Sequence, residues 1–183
     1  MSEEMLVCHC SPTLAGLKTG SLFSCPYSSQ KMIIKEIREF NQKLTQKGIR
    51  IIPVRISDKR MLVYVYRPEK LKEDFSDEKT QIILKCKGYD CTNLSQCICR
   101  LIQKLQSDPD FPHEIGLFLG YPAEDVKGFI ENKAACSKCS GCWKVYGDEQ
   151  AARILFKKYK KCTEIYCRRW KSGVAVEQLT LTI

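Results

Sequence analysis

Apolar residues recur every three or four positions along three stretches of the chain, which is the spacing of an amphipathic helix. The first stretch predicts a helix that begins at residue 28 or 29 and ends at 47, before Gly48. The second predicts a helix over residues 93–106, with Cys97 on its apolar face. The third begins after the helix-capping residue Asp148, and its apolar face consists of Ala152, Leu155, Phe156, Tyr159 and Cys162.

A different pattern, rich in Ile, Val and Tyr, covers residues 49–56 and 60–67. Because only Ser57-Asp58-Lys59 separates them, the two stretches predict a β-hairpin. Pro53 has no N–H to offer a neighbouring strand, which places the first of these strands at a sheet edge. Shorter patterns predict a strand over residues 5–8, a helix starting at Ser11-Pro12, and two short helices near residues 69–75 and 78–87.

Together these elements predict an α+β fold, in which several amphipathic helices pack on a small antiparallel sheet whose central hairpin covers about residues 49–67. The sequence contains no internal repeat and no low-complexity linker. We therefore expect a single domain over residues 1–183, with a cysteine-rich loop at 133–142 and a basic helical segment at 148–171.

Twelve of the 183 residues are cysteines, just below the density of small secreted disulfide scaffolds. The acidic start Met1-Ser2-Glu3-Glu4 lacks the features of a secretory signal, and no apolar stretch reaches the roughly 18 residues that span a bilayer. We therefore expect a cytoplasmic protein with no membrane span, whose thiols stay largely unpaired. Such thiols favour burial, metal binding or redox chemistry over a disulfide framework.

The run Cys136-Ser-Lys-Cys139-Ser-Gly-Cys142 places two residues between successive thiols. In a tight turn this spacing directs the sulfurs toward one point, and thiolates are the ligands that zinc and iron–sulfur clusters prefer. The run has no fourth cysteine, so a fourth ligand must come from elsewhere in the chain. We favour Cys162 for it. The alternatives are Cys167, Cys8 and Cys10.

A second cysteine motif, Cys8-His9-Cys10-Ser11-Pro12, lies where the predicted strand at 5–8 meets the predicted helix. The N–H groups and the dipole at a helix N-terminus would stabilise a Cys10 thiolate, and they would also hold an anion such as phosphate. His9 beside it would shuttle a proton or bind a metal. This motif predicts Cys10 and His9 as catalytic residues; the alternative is two structural thiols at a packed strand end.

Residues 112–132 carry Gly116 four positions before Gly120, a spacing similar to that of the DNA-binding helix-turn-helix. The second helix of such a motif would begin with Glu124 and Asp125, whose carboxylates DNA phosphates repel. We therefore favour a packing role for this segment, either as a helix-turn-helix or as a strand, a turn and a helix.

The net charge of +9 is concentrated near the C-terminus, since residues 151–171 hold eight basic residues and one acidic residue. Aromatic residues interleave with these cations, as they do on nucleic-acid-binding surfaces. The alternative is that the aromatic residues belong to the core and that the cations form a solvated face. The predicted contacts with a nucleic acid or an acidic protein partner are Lys157, Lys158, Lys160, Lys161, Arg168 and Arg169.

Four motifs together resemble an uncharacterised bacterial family, the domain of unknown function DUF3793, found mostly in anaerobic Gram-positive bacteria. They are His9-Cys10-Ser-Pro-Thr-Leu-Ala-Gly-Leu-Lys, Val65-Tyr66-Arg67-Pro68, His113-Glu-Ile-Gly-Leu-Phe-Leu-Gly-Tyr-Pro with Asp125-Val-Lys-Gly-Phe-Ile-Glu-Asn, and Trp143-Lys-Val-Tyr-Gly-Asp. The resemblance implies a stand-alone cytoplasmic protein and supplies neither an activity nor a ligand. A complete set of metal-binding cysteines does not define that family, so the metal hypothesis concerns this chain alone.

The leading hypothesis is a cytoplasmic cysteine-rich protein that binds zinc or an iron–sulfur cluster through Cys136, Cys139 and Cys142, in metal or redox homeostasis. The first alternative is a thiol-dependent enzyme that uses Cys10 at a helix N-terminus. The second is a nucleic-acid-binding module that uses the basic segment at 148–171.

Overall fold

The computed structural model describes residues 1–107 and 110–182. It confirms the α+β class, with a small antiparallel sheet among many helices. In chain order the elements are α1 (Glu3–Leu14), β1 (Gly20–Pro26), α2 (Gln30–Leu44), β2 (Arg50–Ile56), β3 (Arg60–Tyr66), α3 (Pro68–Asp74), α4 (Glu78–Cys86), α5 (Leu94–Ser107), α6 (Ile115–Phe118), α7 (Ala123–Glu131), β4 (Cys139–Ser140), β5 (Lys144–Val145), α8 (Glu149–Lys171) and α9 (Val176–Leu179).

The chain divides into two compact units. The first unit comprises Met1–Glu69 and Tyr159–Ile183, and the second comprises Lys70–Lys158. The single domain expected over residues 1–183 stays a prediction.

The sheet of the first unit has the strand order β1-β3-β2, with both neighbours antiparallel to β3. This order confirms the predicted hairpin and places β2, which contains Pro53, at a sheet edge. A register shift follows Pro53, so that Arg55 pairs with Leu62. Strand β1 is absent from the sequence prediction.

The hydrophobic core of the first unit lies where α1 packs on β1 and α2 packs on β2. Helix α2 begins at its predicted cap, because the Ser29 hydroxyl accepts a hydrogen bond from the Met32 N–H. Gly48 ends the helical segment in the left-handed conformation at φ 75°, which the absence of a Cβ permits. The buried side chains include Leu6, Cys10, Leu14, Ile33, Ile37, Ile51, Val63 and Val65.

The predicted strand at residues 5–8 and the predicted helix start at Ser11-Pro12 are wrong. Helix α1 already begins after Ser2, whose Oγ accepts from the Met5 N–H, and Pro12 lies in its last turns. A run of four apolar residues fits either a strand or one turn of a helix, so the pattern alone does not separate the two. Burial at every fourth position separates them, since Leu6, Cys10 and Leu14 are each 0% exposed.

One buried cation joins three segments of the first unit. The Arg67 side chain follows β3, is 2% exposed, and donates hydrogen bonds to four backbone carbonyls. Two of these, on Thr13 and Leu14, are at the C-terminal end of α1, at 2.7 Å each. The others belong to Lys47, at 3.1 Å, and Leu181, at 2.8 Å. Desolvation lowers the pKa of the guanidinium. The hydrogen bonds to the four carbonyls replace the hydration that the cation loses on burial.

The second unit contains the predicted helices α4 and α5, and Cys97 is buried on α5 as expected. It also contains a buried ion pair, in which Lys104 Nζ lies 2.7 Å from Glu114 Oε1. The Tyr89 hydroxyl donates to the same oxygen at 3.0 Å. Burial alone would raise the pKa of Glu114, but the hydrogen bonds from Lys104 and Tyr89 hold it below its usual range.

The segment at 112–132 forms two short helices, α6 and α7, rather than a strand, a turn and a helix. They pack closely, because a Cβ on Gly116 would lie 2.8 Å from Val126 Cγ2. Asp125 is 3% exposed and accepts hydrogen bonds at 2.7 Å from the Trp143 indole and from the N–H groups of Tyr146 and Gly147. The Asp125 side chain of α7 thus holds residues 143–147, at and just after β5.

Helix α8 begins as predicted after Asp148, whose Oδ1 accepts from the Ala151 N–H at 3.0 Å. Ala152, Tyr159 and Cys162 are buried along it. In the described parts of the chain, no helix combines the length and the apolar composition that a membrane crossing requires.

Replacing Arg67 by Met should lower the free energy of unfolding by at least about 3 kcal/mol, because several buried carbonyls lose their donor at once. The matched control is Arg60→Met on β3, where an exposed guanidinium bonds the side chain and the backbone carbonyl of Ser24 and the expected loss is below about 1 kcal/mol. Urea unfolding of both variants measures the difference. Equal losses would show that Arg67 does not hold these segments together.

Candidate functional site

Two cysteines from distant parts of the chain lie in contact at the surface of the first unit. Cys8 on α1 and Cys167 on α8 are 159 residues apart, and their Sγ atoms are separated by 3.8 Å. The Cys8 residue is exposed and Cys167 is half-buried. This pair is the candidate functional site of the first unit.

The packing of α8 on α1 positions the two thiols. The Trp170 indole N–H donates to Glu3 Oε2 at 3.3 Å, which ties α8 to the first turn of α1. Cys167 and Trp170 also pack against the hydrophobic core, together with Met5 of α1. The packing of α8 on α1 therefore keeps Cys8 and Cys167 in contact.

The surroundings of Cys8 favour its protonated form. Partial burial raises the pKa of the Cys8 thiol, and so do the contact with Cys167 and the negative charge of Glu4. Lys171 acts in the opposite direction. At neutral pH the Cys8 thiol is therefore mainly protonated, and its nucleophilicity rises as the solution becomes alkaline.

The distance between the sulfurs suits reversible oxidation. A disulfide requires an S–S distance of about 2.05 Å, so the two Sγ atoms must approach by roughly 1.8 Å from their 3.8 Å contact. Another pair, Cys91 and Cys97, interacts in the second unit, but Cys97 is fully buried and burial raises its pKa to about 11. Cys8 is exposed, so a small oxidant can reach it, whereas Cys97 is buried and out of reach.

The predicted position of Cys10 at a helix N-terminus is wrong. Cys10 lies inside α1 and is 0% exposed, and burial raises the pKa of its thiol to about 12. His9 is exposed and its ring stacks on Phe23, with 5.1 Å between ring centroids. The catalytic role of Cys10 and His9 stays a prediction, without the helix N-terminus on which it was based.

The cysteine-rich segment is a loop that includes the two-residue strands β4 and β5. Cys136 and Cys142 are exposed, whereas Cys139 is half-buried and pairs with Val145 in the β4–β5 ladder. Across residues 1–107 and 110–182, the structure brings together no group of three or more His, Cys, Asp or Glu side chains that fits a metal ion. Zinc or iron–sulfur binding by this loop stays a prediction.

Cys162, the favoured fourth ligand, is buried on α8 in the first unit, where desolvation raises the pKa of its thiol to about 11. A raised pKa disfavours the thiolate that a metal requires. The alternatives Cys8 and Cys167 contact each other, as described above. Cys10 is enclosed in the core of the first unit.

The predicted polyanion-binding residues all lie on α8 and are all exposed: Lys157, Lys158, Lys160, Lys161, Arg168 and Arg169. The aromatic residues between them are not a stacking surface. Tyr159 is buried, and Phe156 makes an edge contact with Trp143 at 4.6 Å between centroids. Helix α8 therefore presents cations without the aromatic platforms that bases stack on.

The model of a known protein family matches nearly the whole chain. The family described as "Protein of unknown function (DUF3793)" matches residues 6–180. The chain belongs to the DUF3793 family. The resemblance drawn from its four motifs is thereby confirmed. No curated protein and no solved structure matches this DUF3793 member. The matched DUF3793 range includes both Cys8 and Cys167.

Sequence reasoning considered Cys8 and Cys167 as alternative metal ligands, and Cys8 also as a structural thiol, and missed their contact. Neither residue stands in a motif that points to the other, because they belong to different helices 159 residues apart. No local signal in the sequence could have found the pair, because only the packing of α8 on α1 brings the two cysteines together.

The stability contributed by the Cys10 thiol should disappear at alkaline pH. Its pKa rises from an ordinary 9.0 to about 12 in the folded protein, so the folded state holds the proton more tightly than the unfolded state. The contribution is complete below pH 9 and falls by up to about 1.4 kcal/mol per pH unit above it.

Urea unfolding of wild type and Cys10→Ala under reducing conditions, at pH 8, 9 and 10, measures this effect. The stability gap between the two proteins should shrink as the pH rises. Cys99→Ala, which removes a surface thiol of α5, serves as the control with little effect throughout. A gap for Cys10→Ala that stays constant with pH would contradict the burial of a protonated thiol.

Proposed function

We propose that this protein is a thiol-based redox protein, in which Cys8 and Cys167 alternate between a dithiol and a disulfide. The observation that carries the proposal is the 3.8 Å contact between the two Sγ atoms at the surface of the first unit. We place the reaction in the cytoplasm, where a pool of small thiols and disulfides exchanges with such pairs.

The proposed reaction is thiol–disulfide exchange with a small disulfide such as glutathione disulfide. The Cys8 thiolate attacks one sulfur of that disulfide, a mixed disulfide forms, and one glutathione thiolate leaves and takes up a proton. Cys167 then loses its proton and attacks the Cys8 sulfur, which forms the Cys8–Cys167 bond and releases the second glutathione. The protein loses two electrons and two protons, and the small disulfide is reduced to two thiols.

The order of attack follows from access. Cys8 is exposed, whereas Cys167 is half-buried, so a small disulfide reaches Cys8 first. The raised pKa of Cys8 makes this first step slow at neutral pH and faster toward alkaline pH, as the thiolate fraction increases. Oxidation then connects α1 covalently to α8 and stabilises the first unit, by about 2–4 kcal/mol for a typical disulfide.

The test equilibrates the full-length protein in glutathione buffers of increasing oxidation, followed by acid quenching, alkylation and peptide mass spectrometry. The wild type should form a Cys8–Cys167 cross-link with a midpoint between about −320 and −220 mV, the range of cytosolic glutathione. Cys167→Ser should instead accumulate a glutathione adduct at Cys8, because the resolving thiol is absent.

Two matched variants complete this test. Cys8→Ser should form neither the cross-link nor an appreciable adduct at Cys167. Cys99→Ser, which removes an exposed thiol of the second unit, should leave the cross-link unchanged. Absence of the Cys8–Cys167 cross-link in every buffer would overturn the proposal, and so would oxidation that pairs either residue with other cysteines.

A second candidate function rests on the exposed cations of α8. We propose that they bind nucleic acid through its phosphates without regard to sequence, because Tyr159 is buried and the partly buried Tyr166 and Trp170 pack against the hydrophobic core. An acidic protein partner is the other occupant predicted from the sequence.

Fluorescence anisotropy with a labelled single-stranded oligonucleotide tests the second candidate. Affinity should fall steeply with salt, and Arg168→Gln with Arg169→Gln should reduce the magnitude of the log–log salt slope by about one to two. The control is Arg38→Gln on α2, which should leave the slope unchanged. Affinity independent of salt, or stronger binding to polyglutamate than to the oligonucleotide, would exclude nucleic acid as the partner.

A further inference from the structure

The second unit contains a groove between α4 and α7 that the proposed redox function does not use. Its volume is about 590 Å³, which lies within the range of pockets that hold small organic ligands. The side chains of Ile82 and Ile83 on α4 and of Ile130 on α7 line it. Ile82 is 56% exposed, so the groove offers an apolar surface that the protein leaves uncovered.

Lysines surround this apolar surface. Lys79 on α4 and Lys87, the residue that follows α4, line the groove, and within the described residues neither forms an ion pair with a carboxylate. Lys127 lines it from α7, and its Nζ lies 3.7 Å from Glu131, also at the groove. The groove therefore combines an isoleucine-lined floor with two ammonium groups that lack a counter-charge.

Glu124 is the remaining acidic residue at the groove. Its carboxylate lies against Gly147, where a Cβ would overlap it. The carboxylate is therefore close to the backbone at the end of the β4–β5 hairpin. The charges offered to an incoming ligand are three ammonium groups and two carboxylates, one of which already faces Lys127.

We infer that this groove binds a single-chain anionic amphiphile of the fatty-acid class. The acyl chain would lie on Ile82, Ile83 and Ile130, and its carboxylate would meet Lys79 or Lys87. A neutral chain of the same length would gain only the apolar contacts, and a cationic one would be repelled by the lysines. The ligand class follows from this joint requirement for an apolar chain and a negative headgroup.

Cys86 provides a reporter for the test, because it lines the groove and is exposed. The full-length reduced protein is treated with a limiting alkylating reagent, with and without dodecanoate below its micellar concentration, and alkylation is quantified by peptide mass spectrometry. Dodecanoate should slow the alkylation of Cys86 at least fivefold. Cys99, an exposed thiol on α5 that does not line the groove, should react at an unchanged rate.

Charge is tested with ligands and with variants. Dodecyltrimethylammonium should protect Cys86 at least tenfold less effectively than dodecanoate at equal concentration. Lys79→Gln combined with Lys87→Gln should weaken dodecanoate binding at least fivefold by isothermal titration calorimetry. Lys85→Gln, an exposed lysine of α4 outside the groove, should leave the affinity unchanged.

Three results would overturn the inference. Equal protection by dodecanoate and by the cationic amphiphile would remove the role of the lysines. Protection of Cys86 by phosphatidylglycerol vesicles but not by monomeric dodecanoate would assign the groove to a lipid surface. Shielding of Cys86 that depends on protein concentration alone would assign it to a second copy of this chain.

Discussion

The first unit depends on a buried positive charge that no single element could accommodate alone. The guanidinium of Arg67 satisfies carbonyls at the end of α1, before β2 and in the C-terminal segment, which lie up to 114 residues away in sequence. A helix end leaves its last carbonyls without donors, and here a planar group with several N–H donors supplies them. Removal of hydration from the cation is costly, so the three segments must converge for the charge to be tolerated.

Buried carboxylates have the same organising role in the second unit. Asp125 accepts three hydrogen bonds from the hairpin β4–β5, and Glu114 accepts from Lys104 and Tyr89. Each fixes a loop through directional bonds in a region of low dielectric constant. The Asp125 carboxylate of α7 therefore holds the segment that follows the cysteine-rich loop.

Local periodicity predicted those helices and strands that can be recognised from their own residues alone. Helices α2, α5 and α8 and the hairpin β2–β3 are of this kind, because one amphipathic face or one turn identifies each of them. Helix α1 was misassigned because four apolar residues fit both the strand and the helix periodicity, and because proline is favoured in the first turn of a helix, whereas Pro12 lies in the last turns. The Cys8–Cys167 contact and the role of Asp125 depend on tertiary packing, which no local pattern encodes.

The contact between Cys8 and Cys167 also ties the site to the way in which the chain is made. Cys8 leaves the ribosome with the first helix, whereas Cys167 lies 159 residues later, on the last long one. The cysteines nearest to Cys8 in the sequence are Cys10 and Cys25, and both are buried in the core. The thiol pair therefore forms only after Cys167 has been synthesised and α8 has packed on α1, so a partly synthesised chain that lacks α8 does not contain the site.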